Sequence, residues 1–97
     1  MIVLVAKYHV RPGHSETVAA ALRRMAPLVA ENEPGCLLYH ANRSTEIDNL
    51  FLLYEHYADV AAFDAHRQTK HFREIIEGEI VPLLEKRERE LYEPVAP

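Results

Sequence analysis

The alternation of apolar and polar residues along this chain changes its period several times. Residues 2–10 are apolar at every even position, from Ile2 to Val10, and they end at a turn signal, Arg11-Pro12-Gly13. The odd positions begin apolar and end in Lys7 and His9. The segment therefore predicts a β-strand whose two faces are both at least partly buried.

Residues 14–32 change to a helical period, with Val18, Leu22, Met25 and Val29 along one stripe. Ser15 is the predicted N-cap, and Pro27 lies inside the helix, where it removes a backbone donor. The segment Glu33-Pro34-Gly35 is expected to end this helix.

Two apolar segments follow, residues 36–43 and 50–57, and the short polar loop between them predicts a β-hairpin. Asp59 is the candidate N-cap of a second helix that reaches His66, and Thr69 is a second cap candidate after a break. Residues 87–95 predict a fourth strand. The charges of residues 85–90 are expected to form a solvated or edge-strand face.

The predicted order is β-α-β-β-α-β within one domain, residues 1–97. Such an α+β sandwich packs two helices on one face of a four-stranded antiparallel sheet and leaves the other face open. Because the first and third strands are apolar on both sides, we expect a homodimer joined through the sheet faces.

Composition narrows the possible functions. The 97 residues carry a net charge of −4 and form no basic run, which disfavours a nucleic-acid partner. No apolar stretch is long enough to predict a membrane span, and the first residues do not resemble a signal peptide, so a cytoplasmic location is expected. The single cysteine, Cys36, and the spacing of the six histidines predict no metal site.

Three segments together resemble one known family. They are Glu33-Pro34-Gly35-Cys36-Leu37-Leu38-Tyr39, then Phe51-Leu52-Leu53-Tyr54-Glu55-His56-Tyr57, then the run from Ala61 through His66 to Phe72. The chain is similar here to the antibiotic biosynthesis monooxygenase domain of the dimeric α/β-barrel group, and most similar to small stand-alone members described as quinol monooxygenases. The resemblance implies a ferredoxin-like protomer, a homodimer with sheets face to face, and a pocket between the helices and the sheet. It also implies oxygenation without metal or flavin.

The chain differs from two branches of that family. In the haem-degrading branch an Asn, a Trp and a haem-ligating His stand where this chain has Ala6, His66 and Ile76, so the resemblance disfavours haem degradation. In the polyketide-oxidising branch a Trp commonly ends the third strand, where this chain has Tyr57.

Cofactor-free oxygenation needs a base, a donor for the developing oxyanion and a dry pocket. His66 is the candidate base, because histidine exchanges protons near neutral pH and the resemblance places a pocket histidine there. The alternative is a helix-terminal histidine that only caps carbonyls. His71 is a candidate second pocket residue, or else an exposed residue of the first turn.

Glu55 and Tyr57 share one face of the third strand with Phe51 and Leu53. A carboxylate among apolar neighbours needs a partner, so Glu55 either orients a His or Arg in the pocket or pairs with a structural cation. Tyr57 either donates to a substrate oxygen or packs at the end of the sheet. The remaining predicted substrate contacts are Phe51, Leu53, Phe63 and Tyr8, and Tyr8 is otherwise a core residue.

The sequence thus supports a leading hypothesis and two alternatives. The leading one is a cofactor-independent monooxygenase that oxidises a small quinol-like or hydroxylated aromatic substrate with dioxygen, using His66, Glu55 and Tyr57. The first alternative is a proton-transfer isomerase of a small hydroxy-carbonyl compound. The second is a dimeric small-molecule-binding module without catalysis.

Overall fold

The computed structural model describes all of residues 1–97 and contains four strands and two main helical regions. A π-helix begins shortly after the second α-helix, and the amide of Val81 at its end donates to the carbonyl of Ile76, five residues earlier. A short 3-10 turn then leads into the last strand. The elements are β1 (Ile2–Val10), α1 (Ser15–Asn32), β2 (Cys36–Arg43), β3 (Leu50–Tyr57), α2 (Val60–Gln68), the π-helix (Phe72–Ile80), the 3-10 turn (Val81–Leu83) and β4 (Leu84–Tyr92).

The four strands form one antiparallel sheet in the order β2-β3-β1-β4. The two central strands pair in a register that joins Ala6 to Leu53 and Leu4 to Glu55. α1 and the second helical region pack on one face, which makes the protomer a ferredoxin-like α+β sandwich. The predicted fold class is confirmed.

The main core lies between the sheet and the helices. Even residues of β1 and odd residues of β3 point toward it, while α1 contributes its predicted stripe. Met25, Val18 and Val10 are fully buried there. This covered face is also the face on which Glu55 and Tyr57 lie, because both are odd residues of β3.

The structure confirms some of the predicted element ends and corrects others. The Asp59 side chain accepts from the Ala62 amide at 2.8 Å, and the Thr69 hydroxyl accepts from the Phe72 amide at 3.2 Å, as N-caps do. Ser15 is not an N-cap, because the carbonyl of His14 already accepts the first helical bond from Val18. The last strand starts at Leu84 rather than residue 87, since β1 pairs with it as far as Val10.

The second face of the sheet has no helix over it. Val3 and Val5 of β1 lie there beside Tyr54 and His56 of β3, and Tyr54 is 39% exposed. The homodimer through this face stays a prediction. None of the helices combines the length and the apolar character needed to span a membrane.

Gly35 sets how closely α2 approaches the start of β2. A Cβ atom on Gly35 would lie 2.5 Å from the Cβ of Ala62, and the Gly35 carbonyl accepts from the Ala58 amide at 2.9 Å. The backbone of Gly35 does not require a left-handed conformation. The constraint at this position is therefore one of space.

We expect Gly35→Ala to lower the free energy of unfolding by about 1–3 kcal/mol, because the added methyl group overlaps Ala62. Urea unfolding followed by circular dichroism measures the change. In an Ala62→Gly background the same substitution should cost much less, since the opposing methyl is gone. An equal cost in both backgrounds would show that the contact does not limit the fold.

Candidate active site

A small cavity lies between the sheet and the second helical region. Aromatic and aliphatic side chains from β1, β2, α2 and the π-helix form more than half of its wall, and a glutamate, a histidine and three arginines complete it. The space between the side chains is about that of a single water molecule. The lining includes Tyr8, Tyr39, Glu55, Phe63, His66 and Phe72.

Glu33, the residue that ends α1, is the centre of the polar arrangement behind this cavity. Its amide donates to the Val29 carbonyl and its carbonyl accepts from the Cys36 amide, both at 3.0 Å, so the turn into β2 is fixed. Its side-chain Oε1 lies 2.7 Å from Nδ1 of His66, and Oε2 lies 2.5 Å from Nε2 of His71. One carboxylate therefore holds histidines from two successive helical segments.

The ionisation of Glu33 decides which ring nitrogen of each histidine donates to it. Burial alone would raise the pKa of Glu33, but the hydrogen bonds from His66 and His71 outweigh it and hold that pKa below its usual value. An ionised carboxylate only accepts hydrogen bonds, so Nδ1 of His66 and Nε2 of His71 must donate. In neutral His66 the remaining nitrogen, Nε2, then carries the lone pair.

Glu55 faces this Nε2 atom from the sheet. Its Oε1 lies 3.8 Å from Nε2 of His66, beyond hydrogen-bond distance, and accepts a hydrogen bond from the Tyr57 hydroxyl. Burial raises the pKa of Glu55, while the Tyr57 hydroxyl and the charge of His66 oppose that rise. Glu55 thus lies near a pocket histidine without a hydrogen bond to it, and its role of orienting that histidine stays a prediction.

Tyr39 brings a hydroxyl with no protein partner to the same place. It is paired across the β2–β3 ladder with Glu55, and its ring centroid is 5.8 Å from that of His66. Its hydroxyl oxygen is buried and makes no hydrogen bond within the chain. Burial, together with the nearby charge of Glu55, raises the pKa of Tyr39 well above its usual value, so the hydroxyl keeps its proton and can donate it to a ligand.

The predicted site residues separate into three groups by position. Four line the cavity, and two lie behind it as hydrogen-bond partners of the glutamates. The last two, packed in the main core between sheet and α1, do not line the cavity. The first group is His66, Glu55, Tyr8 and Phe63; the second is Tyr57 and His71; the third is Phe51 and Leu53.

Sequence reasoning did not identify Glu33, Tyr39 or the arginines of β4 as site residues. Glu33 belongs to a helix stop and to a segment that resembles the family, and no local signal shows where its side chain points. For Tyr39 the register of the hairpin could have served as a signal, because it places Tyr39 opposite the candidate site residue Glu55. Arg87 and Arg89 pair with Tyr8 and Ala6, so the alternation of β4, an edge strand of the sheet, puts them on the helix-covered side next to the cavity.

No group of three or more His, Cys, Asp or Glu side chains is arranged as a metal site. The histidines near the cavity are instead bonded to Glu33.

A profile described as antibiotic biosynthesis monooxygenase matches residues 1–78 of this chain. An uncharacterised protein of Synechocystis is 34% identical over 77 residues, which are 78% of this chain and 51% of that protein. The chain thus spans about half the length of this curated relative.

Solved structures resemble the protomer over nearly its whole length. A Pseudomonas aeruginosa protein is 30% identical, with a TM-score of 0.86 and coverage of 98% of this chain and 94% of that one. A Bacteroides thetaiotaomicron protein, named as a candidate antibiotic biosynthesis monooxygenase, is 28% identical with a TM-score of 0.90, covering 99% and 90%.

The raised pKa of Glu55 predicts a pH-dependent gain in stability for Glu55→Gln. A carboxyl group whose pKa is higher in the folded state than in the unfolded state lowers stability at neutral pH. This cost disappears as the pH falls below the pKa of the unfolded state. Glutamine is neutral at all pH values and can still accept from Tyr57.

We therefore expect Glu55→Gln to raise the Tm by several degrees at pH 7 and by much less near pH 4, as followed by circular dichroism. Glu46→Gln, in an exposed loop, serves as the matched control and should change little at either pH. A Glu55→Gln protein that is less stable than the wild type at pH 7 would contradict the assignment.

Proposed function

Because the chain belongs to the antibiotic biosynthesis monooxygenase family, we propose that it oxidises a small hydroxylated aromatic substrate of the quinol type with dioxygen, at the His66 cavity. The reaction converts a quinol and dioxygen into a hydroxyquinone and water. One oxygen atom enters the ring, and the other leaves as water with two substrate hydrogens. The substrate supplies all four electrons, so the balance requires no further reductant.

The observation that carries this proposal is the direction in which His66 is held. Glu33 accepts a hydrogen bond from Nδ1 of His66. The lone pair of neutral His66 is therefore on Nε2, the nitrogen that faces Glu55 and the cavity. The rings of Tyr57 and Phe72 pack around the imidazole, with centroids 5.3 and 5.1 Å away, and limit its rotation. This is the arrangement of a general base with an orienting carboxylate behind it.

The first step is removal of a phenolic proton. A substrate hydroxyl hydrogen-bonded to Nε2 of His66 gives its proton to that nitrogen, and the cationic imidazole is stabilised by the ionised Glu33 at Nδ1. The phenolate is a far better electron donor than the phenol. Dioxygen has a triplet ground state, so it reacts readily only with a substrate made electron-rich in this way.

Tyr39 is placed to donate to the oxygen on which negative charge develops. Its hydroxyl is buried at the cavity and has no partner in the protein, so a substrate oxygen would satisfy it. Tyr57 is less available for this role because its hydroxyl already donates to Glu55. Tyr57 therefore acts as a positioning residue, through the carboxylate that faces His66.

The oxygen steps follow from the phenolate. One electron passes from the phenolate to dioxygen, and the resulting radical pair combines to form a carbon–oxygen bond. The peroxide on the ring then takes a proton. The hydrogen on the same ring carbon leaves as a proton, the O–O bond breaks, the departing hydroxide and that proton form water, and the carbon–oxygen bond becomes a carbonyl. The protonated His66 is the nearest proton donor for this step, and the apolar walls of Phe63 and Phe72 exclude competing water.

An aromatic ring is larger than the space between the side chains, so binding requires movement at the rim. Arg67, with a side chain that is 40% exposed, is a rim residue that can move without breaking the core. The Glu33–His66 unit lies behind the cavity and does not have to shift.

We expect His66→Ala to lower the rate of dioxygen consumption at least about 100-fold with a panel of quinols and anthrones, because the proton acceptor is lost. An oxygen electrode measures the rate, and circular dichroism verifies that the variant is folded. His9→Ala is the matched control, since His9 pairs with Glu88 on the opposite face of the sheet.

An unchanged rate in folded His66→Ala would overturn the proposed role of His66. Turnover by the wild type that is equal in anaerobic buffer would instead favour a proton-transfer isomerase. Ligand-dependent shifts in Tm without product under either atmosphere would favour a binding module.

A further inference from the structure

Arginine side chains surround the outer end of the cavity. Arg67 at the end of α2 and two residues of β4, Arg87 and Arg89, line both the cavity and a polar groove just outside it. Arg73 and Glu77 complete the charged residues of that groove. Four guanidinium groups and one carboxylate therefore face this groove, in a chain whose net charge is −4.

Few carboxylates of the chain lie close enough to neutralise the positive charges of these arginines. Neither Arg87 nor Arg89 has a carboxylate within 4 Å, whereas Arg24 and Arg43 form ion pairs with Glu79 and Glu16. Arg67 has a partial partner in Asp64 at 3.3 Å, and Arg73 donates to the neutral Gln68. The Nε atoms of Arg67 and Arg87 are buried and donate to nothing.

The fold holds this cluster in place. Arg87 and Arg89 are two residues apart on β4, so their side chains leave the same face of the sheet, opposite Tyr8 and Ala6 of β1. The Arg87 guanidinium lies 5.7 Å from the ring centroid of Tyr8, and the Arg67 guanidinium lies 5.0 Å from that of Phe63. Both rings line the cavity, so the cations lie next to the place where the substrate is proposed to bind.

We propose that the substrate carries an anionic oxygen group, a carboxylate or a phosphate, which Arg67, Arg87 and Arg89 bind at the mouth of the cavity. The inference rests on the proposed function only for the aromatic part of the substrate. Planar guanidinium groups suit such oxyanions because they donate paired hydrogen bonds.

The charges around Arg89 also favour an anion at the mouth of the cavity. Burial and the positive charges of Arg87 and Arg67 lower the pKa of Arg89, so the free protein carries uncompensated like charge at this point. A bound anion would relieve that repulsion. It would also leave the phenolic end of the substrate pointing inward, toward His66 and Tyr39.

The test measures binding under nitrogen, so that its result does not depend on oxidation. Isothermal titration calorimetry compares 2,5-dihydroxybenzoate with its neutral methyl ester, and adds 4-hydroxyphenyl phosphate to distinguish a carboxylate site from a phosphate site. We expect at least one of the two anions to bind about tenfold or more tightly than the ester, with an affinity that falls as salt rises.

Arginine variants test which side chains produce the preference for the anion. Arg89→Gln, at an exposed position, and Arg87→Gln should each remove most of the preference for the anion while leaving binding of the ester nearly unchanged. Lys86→Gln is the matched control, because it removes one positive charge from the same strand on the opposite face of the sheet. It should keep the preference, and melting curves verify that each variant is folded.

Equal affinity for the anions and the ester, no binding of either anion, or a preference that survives both arginine substitutions would overturn the inference. None of these outcomes would decide whether the protein consumes dioxygen. Conversely, a failure of His66→Ala to affect oxygen uptake would leave a measured preference for anions intact.

Discussion

The contact of one carboxylate with two histidines is the interaction on which the candidate site depends. Glu33 ends α1, and its oxygens hold His66 at the end of α2 and His71 just before the π-helix. The Glu33 and His66 side chains are less than 10% exposed, so their hydrogen bonds form in a region of low dielectric and are correspondingly strong. The same contact connects the end of α1 to the second helical region and leaves Nε2 as the nitrogen of His66 that faces Glu55. The Glu33 carboxylate thus contributes both to the packing of the protomer and to the proposed catalysis.

Two buried glutamates lie on either side of His66 and behave in opposite ways. Hydrogen bonds from two histidines lower the pKa of Glu33, whereas burial raises that of Glu55. Such a separation of neighbouring carboxyl groups is typical of sites that move protons, because each group then has a different role at one pH. In the proposed mechanism, Glu33 stabilises the positive charge that His66 gains from the substrate, and Glu55 with its Tyr57 partner lies where the substrate proton leaves. The arginines outside add positive charge at the mouth.

The sequence predicted the order of elements, the broken second helical region and the helix-covered face, because these depend on local periodicity and caps. Asp59 and Thr69 acted as the caps their side chains suggested. The polar partners were harder to predict, since Glu33 and His71 are 38 residues apart and meet only after two helical segments pack. The position of Arg87 and Arg89 beside the cavity was not predicted for a related reason: a strand of alternating charge has two faces, and the sequence does not show which one receives helices.

The orientation of the His66 ring can be measured by nitrogen-15 NMR of the imidazole groups. In protein labelled at histidine nitrogens, at a pH where His66 is neutral, we expect a proton on Nδ1 and a pyridine-like shift for Nε2. Glu33→Gln should disturb this preference, while His9, paired with Glu88 on the other face, serves as an internal reference. A neutral His66 with its proton on Nε2 would contradict the account, because the nitrogen facing Glu55 could not then accept a substrate proton.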